Sequence, residues 1–168
     1  IQSRVRGTLL MALSNKYHNI VLATGNKSEM AVGYATLYGD MCGGFAPLKD
    51  ISKTMVYRLS KYRNTLSEVI PDRVINRPPS AELAPNQVDQ DLLPPYDILD
   101  DILMRFVEMK QSVGQIIENG HSPENVNKIT SLILRNEYKR RQSAPGPKIS
   151  SNAFGKERRY PMTSKFRP

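Results

Sequence analysis

Thr24, Asn26 and Glu29 are the side chains whose types and spacing first suggest chemistry. They follow the short apolar run Ile20-Val21-Leu22-Ala23, which is bounded by polar residues. Such a run reads as a buried strand. Asn26 is a good helix N-cap, and Glu29 three residues on completes a capping box. Strand, tight turn and helix start therefore succeed one another. In open α/β sheets the crevice beyond the carboxyl end of a strand is where ligands bind. A helix N-terminus there offers N–H groups and a partial positive charge to phosphates. Thr24 would add a hydroxyl, and Glu29 a carboxylate suited to a hard cation such as magnesium. The plainer reading makes Glu29 only the capping partner of Asn26. The pattern alone, no more specific than a lone GxGxxG, leaves both open. Further on, Tyr38-Gly39-Asp40 and Gly43-Gly44 make a loop able to approach a ligand closely.

Lys53 is the next candidate. Ser52 caps a helix over 53–64, and a cation in its first turn opposes the helix dipole. A ligand role explains Lys53 better than stability does. Arg4 and Arg6 lie about 200° apart on a helix over 3–16, so only one can face a given site. Cys42 has no histidine near it in sequence and reads as a plain loop residue. Asp97, Asp100 and Asp101 sit in the first turns of a helix, where the dipole favours them, and read as structural. His18 and His121 read as surface residues. The sequence shows no repeats, no metal-ligand cluster and no catalytic triad.

The elements that must position these residues are mainly helical. Helices are expected over 3–16, 27–36 (interrupted at Gly33), 53–64, 96–110 and 113–119, with a last one from Ser122 to about 141. Val5, Leu9, Leu10 and Leu13 share one face of the first; Met55, Val56, Leu59 and Tyr62 should face the core from the third. Residues 19–23 form the one confident strand. One strand cannot make a sheet, so the others must come from upstream sequence or another chain. Residues 65–95 make a proline-rich loop, of a length that is usually functional or disordered.

The 168 residues suffice for one domain, with 39% hydrophobic and 24% charged. One cysteine rules out an internal disulfide and fits a reducing cytosol. No apolar run approaches the roughly 18 residues that cross a bilayer. Residue 1 is Ile, so the chain reads as a piece of a longer protein. Residues 135–168 carry ten Lys and Arg against Glu137 and Glu157, which accounts for the whole net charge of +8. A basic tail of this composition reads as disordered taken alone. It suits nucleic acid, a membrane surface, an anionic ligand or a neighbouring subunit.

ATGNKSE, AVGY, YGD and PPSAEL, in that order, resemble the C-terminal half of the synthetase domain of NAD synthetases. KRRQSAPGPK and RRYPMTSKFR extend the resemblance to nearly the whole chain and look like the glutamine-dependent bacterial members. The resemblance implies an α/β fold: part of an adenine-nucleotide α-hydrolase-like (Rossmann-like ATP pyrophosphatase) domain, mostly helical in this stretch. Residues 1–141 would be that half-domain, and 142–168 a basic tail packing on it or on a partner subunit. The implied activity is a ligase that adenylates deamido-NAD with ATP, releases pyrophosphate, then forms NAD with ammonia and releases AMP. No side chain need act as a covalent nucleophile.

The roles carried over follow the matching positions. Thr24, Lys53 and Ser80 would bind ATP; Arg4, Glu29, Asp40 and Lys148 would bind deamido-NAD; Glu29 would also hold Mg2+. Asp89 and Asp91 match an acidic segment that orders over the site. Leu37 stands where some ammonia-dependent members have a lysine. The family's upstream phosphate loop, Ser-Gly-Gly-x-Asp-Ser, does not occur here. The implied partners are glutamine or ammonia, an upstream amidase domain, and further copies in a homodimer or larger homo-oligomer. The setting is cytoplasmic, without nucleic acid or membrane. PPSAEL and APGPK argue against a GMP or asparagine synthetase. The rival outside enzymes is a nucleic-acid-binding or dimerisation module using the basic tail, where aromatics are few (Phe154, Tyr160, Phe166).

Overall fold

Leu99, Ile102, Leu103 and Phe106 recur at helical spacing, and that spacing builds the core. In a computed structural model, which describes residues 1–80 and 89–164, they lie on α5, Tyr96–Leu103, and its continuation. Leu99, Ile102 and Leu103 are fully or almost fully buried. They pack with Ile116 of α6 (Val113–Glu118) and with Val126, Ile129 and Ile133 of α7 (Pro123–Arg135). Ala31 and Val32 of the short α2 (Lys27–Val32) complete this cluster.

The helix expected over 96–110 changes character part-way. After Leu103 it widens into a π-turn, Met104–Glu108, with Met109 N–H donating to Met104 O at 3.0 Å. That wider turn ends at Glu108, whose carboxylate reaches Lys27 Nζ at 2.8 Å. The last helix also divides, at Asn136, into α7 and α8 (Glu137–Arg141). Asn136 donates its side-chain amide to Val32 O at 2.9 Å, at the end of α2. Gly33 caps that end in the left-handed region, φ 71. A Cβ on Gly33 would lie 2.1 Å from Asn136 Cγ, so glycine and break fit one another.

Three expectations about burial are overturned. The run at 20–23 is no buried strand: Ile20 is 64% exposed and Leu22 53%. It makes one isolated parallel bridge, Leu22 to Phe45, supported by Ala23 N–H to Phe45 O at 2.9 Å. The apolar face of α1 (Gln2–Tyr17) is exposed, and Gly7 is its one buried residue. No residue of α3 (Lys53–Leu66) is buried, so Met55, Leu59 and Tyr62 do not face the core. Periodicity marks an apolar stripe; it does not supply what covers it. His121 also departs from expectation: Nε2 lies 2.5 Å from Asp101 Oδ2, which Arg105 Nε approaches at 2.8 Å. The loop 65–95 holds α4 (Asp72–Asn76) and a 3-10 turn, Asp89–Asp91. Among the described residues no helix is long and apolar enough to cross a membrane.

Through residue 164 the tail is ordered against the body. Phe154 and Tyr160 belong to the main core, and Tyr160 stacks on Phe106 at 6.4 Å between centroids. Beneath them lies Arg140, its guanidinium 4.6 Å from the Phe154 ring. Arg140 is buried and pairs with Glu137 Oε2 at 3.0 Å. It also donates to Ala31 O at 2.7 Å and to Ile133 O.

Replacing Arg140 with Met leaves Glu137 buried with only Arg141 at 2.7 Å. Breaking a buried pair from one side costs about 3–5 kcal/mol, so Arg140→Met should lower the denaturation free energy by that order. Urea unfolding measures it; a loss under about 1 kcal/mol would mean that the tail stays anchored without this cation.

Candidate functional site

The capping box forms as the sequence requires. Glu29 N–H donates to Asn26 Oδ1 at 3.0 Å, and Asn26 N–H to Glu29 Oε2 at 3.2 Å. Lys27 N–H donates to Ile51 O at 2.8 Å. The N–H groups of Lys27 and Glu29 thus already have protein acceptors, and α2 has only six residues. The expected phosphate cradle at this helix start is therefore not what the site is made of. What Asn26 does is aim Thr24, Gly25 and Glu29 at an open crevice of about 700 Å³.

Lys53 enters that crevice from the first turn of α3, and its adverse position on the dipole is offset twice. Asp100 Oδ2 accepts Thr54 N–H at 2.8 Å, while its Oδ1 accepts the Ser28 hydroxyl. Lys53 Nζ itself lies 3.0 Å from Glu29 Oε1. The two side chains keep 19% and 20% exposure, and the ammonium also faces the rings of Tyr57 and Tyr96. Asp100 is structural, but through α3 rather than through its own helix dipole: of the three aspartates only Asp97 lies in the first turn of α5.

Other cations line the same crevice: Arg6, Lys49, Arg77 and Lys139. Lys49 Nζ donates to Ala144 O at 2.7 Å, and Lys139 Nζ to Gly33 O at 2.7 Å and Ala35 O at 2.8 Å. Desolvation lowers the pKa of both; for Lys139 the charge of Asp40 partly opposes it. Sequence reasoning missed these two. Lys139 lay hidden in the basic run at the end of a helix, and Lys49 in a loop carried no signal.

Thr24, Glu29, Asp40, Lys53 and Ser80 are brought together on the crevice. Asp40 Oδ1 accepts Thr36 N–H at 2.7 Å. Its carboxyl is pushed up by desolvation, against the lowering effect of that bond. Arg4 and Lys148 are not brought there. Arg4 Nε donates to Leu37 O at 3.1 Å, and Arg6 lines the crevice in its place. Lys148 Nζ pairs with Glu157 at 3.0 Å on the surface. Cys42 Sγ lies against Gly7, away from the lining.

One wall is acidic. Asp89 is 3% exposed and accepts the Tyr96 hydroxyl at 2.6 Å. Its Oδ1 and the Tyr34 hydroxyl are both buried in this wall. Burial, then Asp89, pushes the Tyr34 hydroxyl up to about 12. Residues 81–83 of the matched PPSAEL segment lie outside the described residues. Among those described, no group of three or more His, Cys, Asp or Glu could hold a metal.

One parallel bridge, Leu22 to Phe45, leads to a cation-lined crevice ringed by helices. The solved structure of a glutamine-dependent NAD(+) synthetase from Cytophaga hutchinsonii shows the same fold. It covers 98% of this chain and 28% of its own at a TM-score of 0.74, with 24% identity. The fold is adenine-nucleotide α-hydrolase-like, seen here in its mostly helical part. The family model described as NAD synthase matches residues 1–143, and the chain belongs to that family. A glutamine-dependent NAD(+) synthetase from Acinetobacter baylyi is 65% identical over 170 residues. That match takes in 100% of this chain and 31% of the relative, so the chain spans about a third of its length. An NMN synthetase from Francisella tularensis is 30% identical at a TM-score of 0.67, covering 88% of this chain and 55% of its own.

Lys49→Met and Lys139→Met should each weaken binding of an anionic nucleotide roughly tenfold, the loss of one charge-assisted bond. Both ammonium groups deprotonate below the ordinary lysine value, so affinity should fall as pH rises into the alkaline range. The fall should begin earlier than exposed lysines would give. Calorimetric titration of ATP between about pH 7 and about pH 10.5 reads this; a flat profile would remove both from the site.

Proposed function

We propose that the protein carrying this chain is a ligase that forms NAD from deamido-NAD, ATP and ammonia. The carrying observation is a single crevice that presents Lys49, Lys53 and Lys139 beside Thr24, Ser80, Glu29 and Asp40. Two polyanions must be held close together there, and fixed cations serve that need. The relatives at high identity support this reading. A nicotinate carboxylate oxygen attacks the α-phosphorus of ATP, and pyrophosphate leaves. Ammonia then attacks the acyl carbon, and AMP leaves with the bonding electrons while ammonia's surplus protons pass to solvent.

In this scheme Lys53, Thr24 and Ser80 hold ATP. Asp40 and Glu29 hold deamido-NAD, with Arg6 taking the place first given to Arg4. Glu29 fits Mg2+ only as a lone protein carboxylate, the regime in which substrate phosphates carry the ion; magnesium would neutralise those phosphates there. Lys53 then exchanges its partner, from Glu29 to a phosphate. The ammonia comes from glutamine through an amidase domain elsewhere in the protein. The proposal includes a homo-oligomer, supported by exposed Met55, Leu59 and Tyr62 on α3. It includes a cytoplasmic setting, supported by the free Cys42. Residues 142–168 count as an arm of the same domain. The nucleic-acid reading of the tail is weakened because Arg140, Lys148 and Arg158 are engaged within the chain.

The test is NAD formation by the full-length protein. Turnover with deamido-NAD, ATP and glutamine is expected; turnover with nicotinate mononucleotide in place of deamido-NAD, and none with deamido-NAD, would move the reading to NMN synthesis. Glu29→Gln keeps the shape of the capping box, so it should cut pyrophosphate release about a hundredfold while thermal stability holds. A stability loss with normal pyrophosphate release would return Glu29 to capping alone. Lys148 pairs with Glu157 away from this chain's crevice, so its proposed role falls in the site of a neighbouring copy. Lys148→Ala should then raise the KM for deamido-NAD and leave that for ATP, and no change would remove Lys148 from the site.

A further inference from the structure

Three segments that line the crevice meet behind it at one buried ammonium. Lys27, 2% exposed, is the first residue of α2 and does not line the crevice. Its Nζ lies 3.0 Å from Asp50 Oδ1 and 2.8 Å from Glu108 Oε1. It donates to Ser150 Oγ at 2.6 Å and to Asn152 O at 3.2 Å. Asp50 in turn accepts the N–H groups of Ile149 and Ser150 at 2.8 and 2.7 Å, and the Ser150 hydroxyl. One cation therefore ties together the start of α2, the loop 46–50, the end of the π-turn and the tail.

Three of these four segments carry part of the lining, the π-turn being the exception. Helix α2 brings Glu29, the loop brings Ala46 and Lys49, and the tail brings Ser143 and Ala144. Loop and tail are also joined directly, by Ala46 N–H to Pro145 O at 2.8 Å and Lys49 Nζ to Ala144 O. An ammonium with three N–H donors fixes direction as well as distance, and partners drawn from separate segments cannot drift independently.

We infer that Lys27 is a positioning residue: through Asp50 and Ser150 it sets the spacing between Glu29, Lys49 and the tail wall of the crevice. The basic tail is then a wall of the site. Lys27, Asp50 and Ser150 touch no ligand themselves.

The kinetic part of the test rests on the ligase reading. Lys27→Met strips two carboxylates of their cation and risks unfolding, so the deciding variant is Ser150→Ala in the full-length protein. It removes one hydroxyl and keeps the two backbone N–H groups on Asp50. Exchange of the Ala46 amide should quicken roughly tenfold while amides of α7 keep their rates. The KM for ATP or deamido-NAD should rise roughly tenfold with kcat within about twofold, the signature of lost ground-state and transition-state binding alike. A merely structural role lowers the active fraction, so kcat falls and both KM values hold. The inference stands if exchange quickens and a KM rises; it is overturned if either keeps its wild-type value. Should the wild type form no NAD, the ligase reading has failed. The dissociation constant of ATP then replaces KM in the same comparison.

Discussion

The constraint on which this structure depends is that a cation taken out of water must find acceptors, and here it finds them on several segments at once. An unpaired buried charge costs far more than any single contact returns. Lys27 and Arg140 are both nearly inaccessible, and each gathers partners distant in sequence. Lys27 joins the start of α2 to residues more than a hundred positions away. Arg140 joins α8 to the carbonyls of α2 and to the rings of the tail. The apolar core lies between α5, α6 and α7; the irregular half of the chain hangs from these two cations.

The same economy governs the crevice. Helix α3 begins with a lysine, which its dipole disfavours. Asp100 answers by accepting Thr54 N–H, and Ser28 bridges the two elements by accepting Lys53 N–H and donating to Asp100. A residue that sequence position alone marks as an ordinary helix-start aspartate thus holds a neighbouring helix in place. The polar groups that position the crevice are buried behind it, and those facing the ligand remain half-open.

Local signals were legible where the physics is local. The Asn26–Glu29 box, the Ser52 cap and the α5 stripe follow from a few neighbouring residues, and each forms as expected. Motif order brought Thr24, Glu29, Asp40, Lys53 and Ser80 to one crevice. What failed was anything decided by a distant partner. Periodicity in α1 and α3 could not say that their stripes stay exposed. The break at Asn136 depends on Val32, 104 residues earlier. Composition read the tail as disordered because it could not count Phe154 and Tyr160 against a buried arginine. Arg4 and Arg6 were correctly opposed, but which one faces the crevice depends on Leu37 O drawing Arg4 aside.

The partner each cation takes sorts the structural ones from those left for a ligand. A carboxylate cancels an ammonium's charge; a carbonyl orients it and leaves the full charge in place. Lys27 and Arg140 are held by carboxylates, and neither lines the crevice. Lys49 and Lys139 are held by carbonyls alone, and both line it. Desolvation, opposed only in part by Asp40 at Lys139, makes each costly to keep protonated, which is the sense of their lowered pKa values. A bound polyanion would relieve that cost, so the crevice is held in a state that an anion stabilises. Lys53 stands between the two classes. Its carboxylate partner, Glu29, also lines the crevice and already accepts a backbone N–H. On the ligase proposal, opening that one pair would free a cation for phosphate and a carboxylate for magnesium in the same motion, and no buried group would lose its partner.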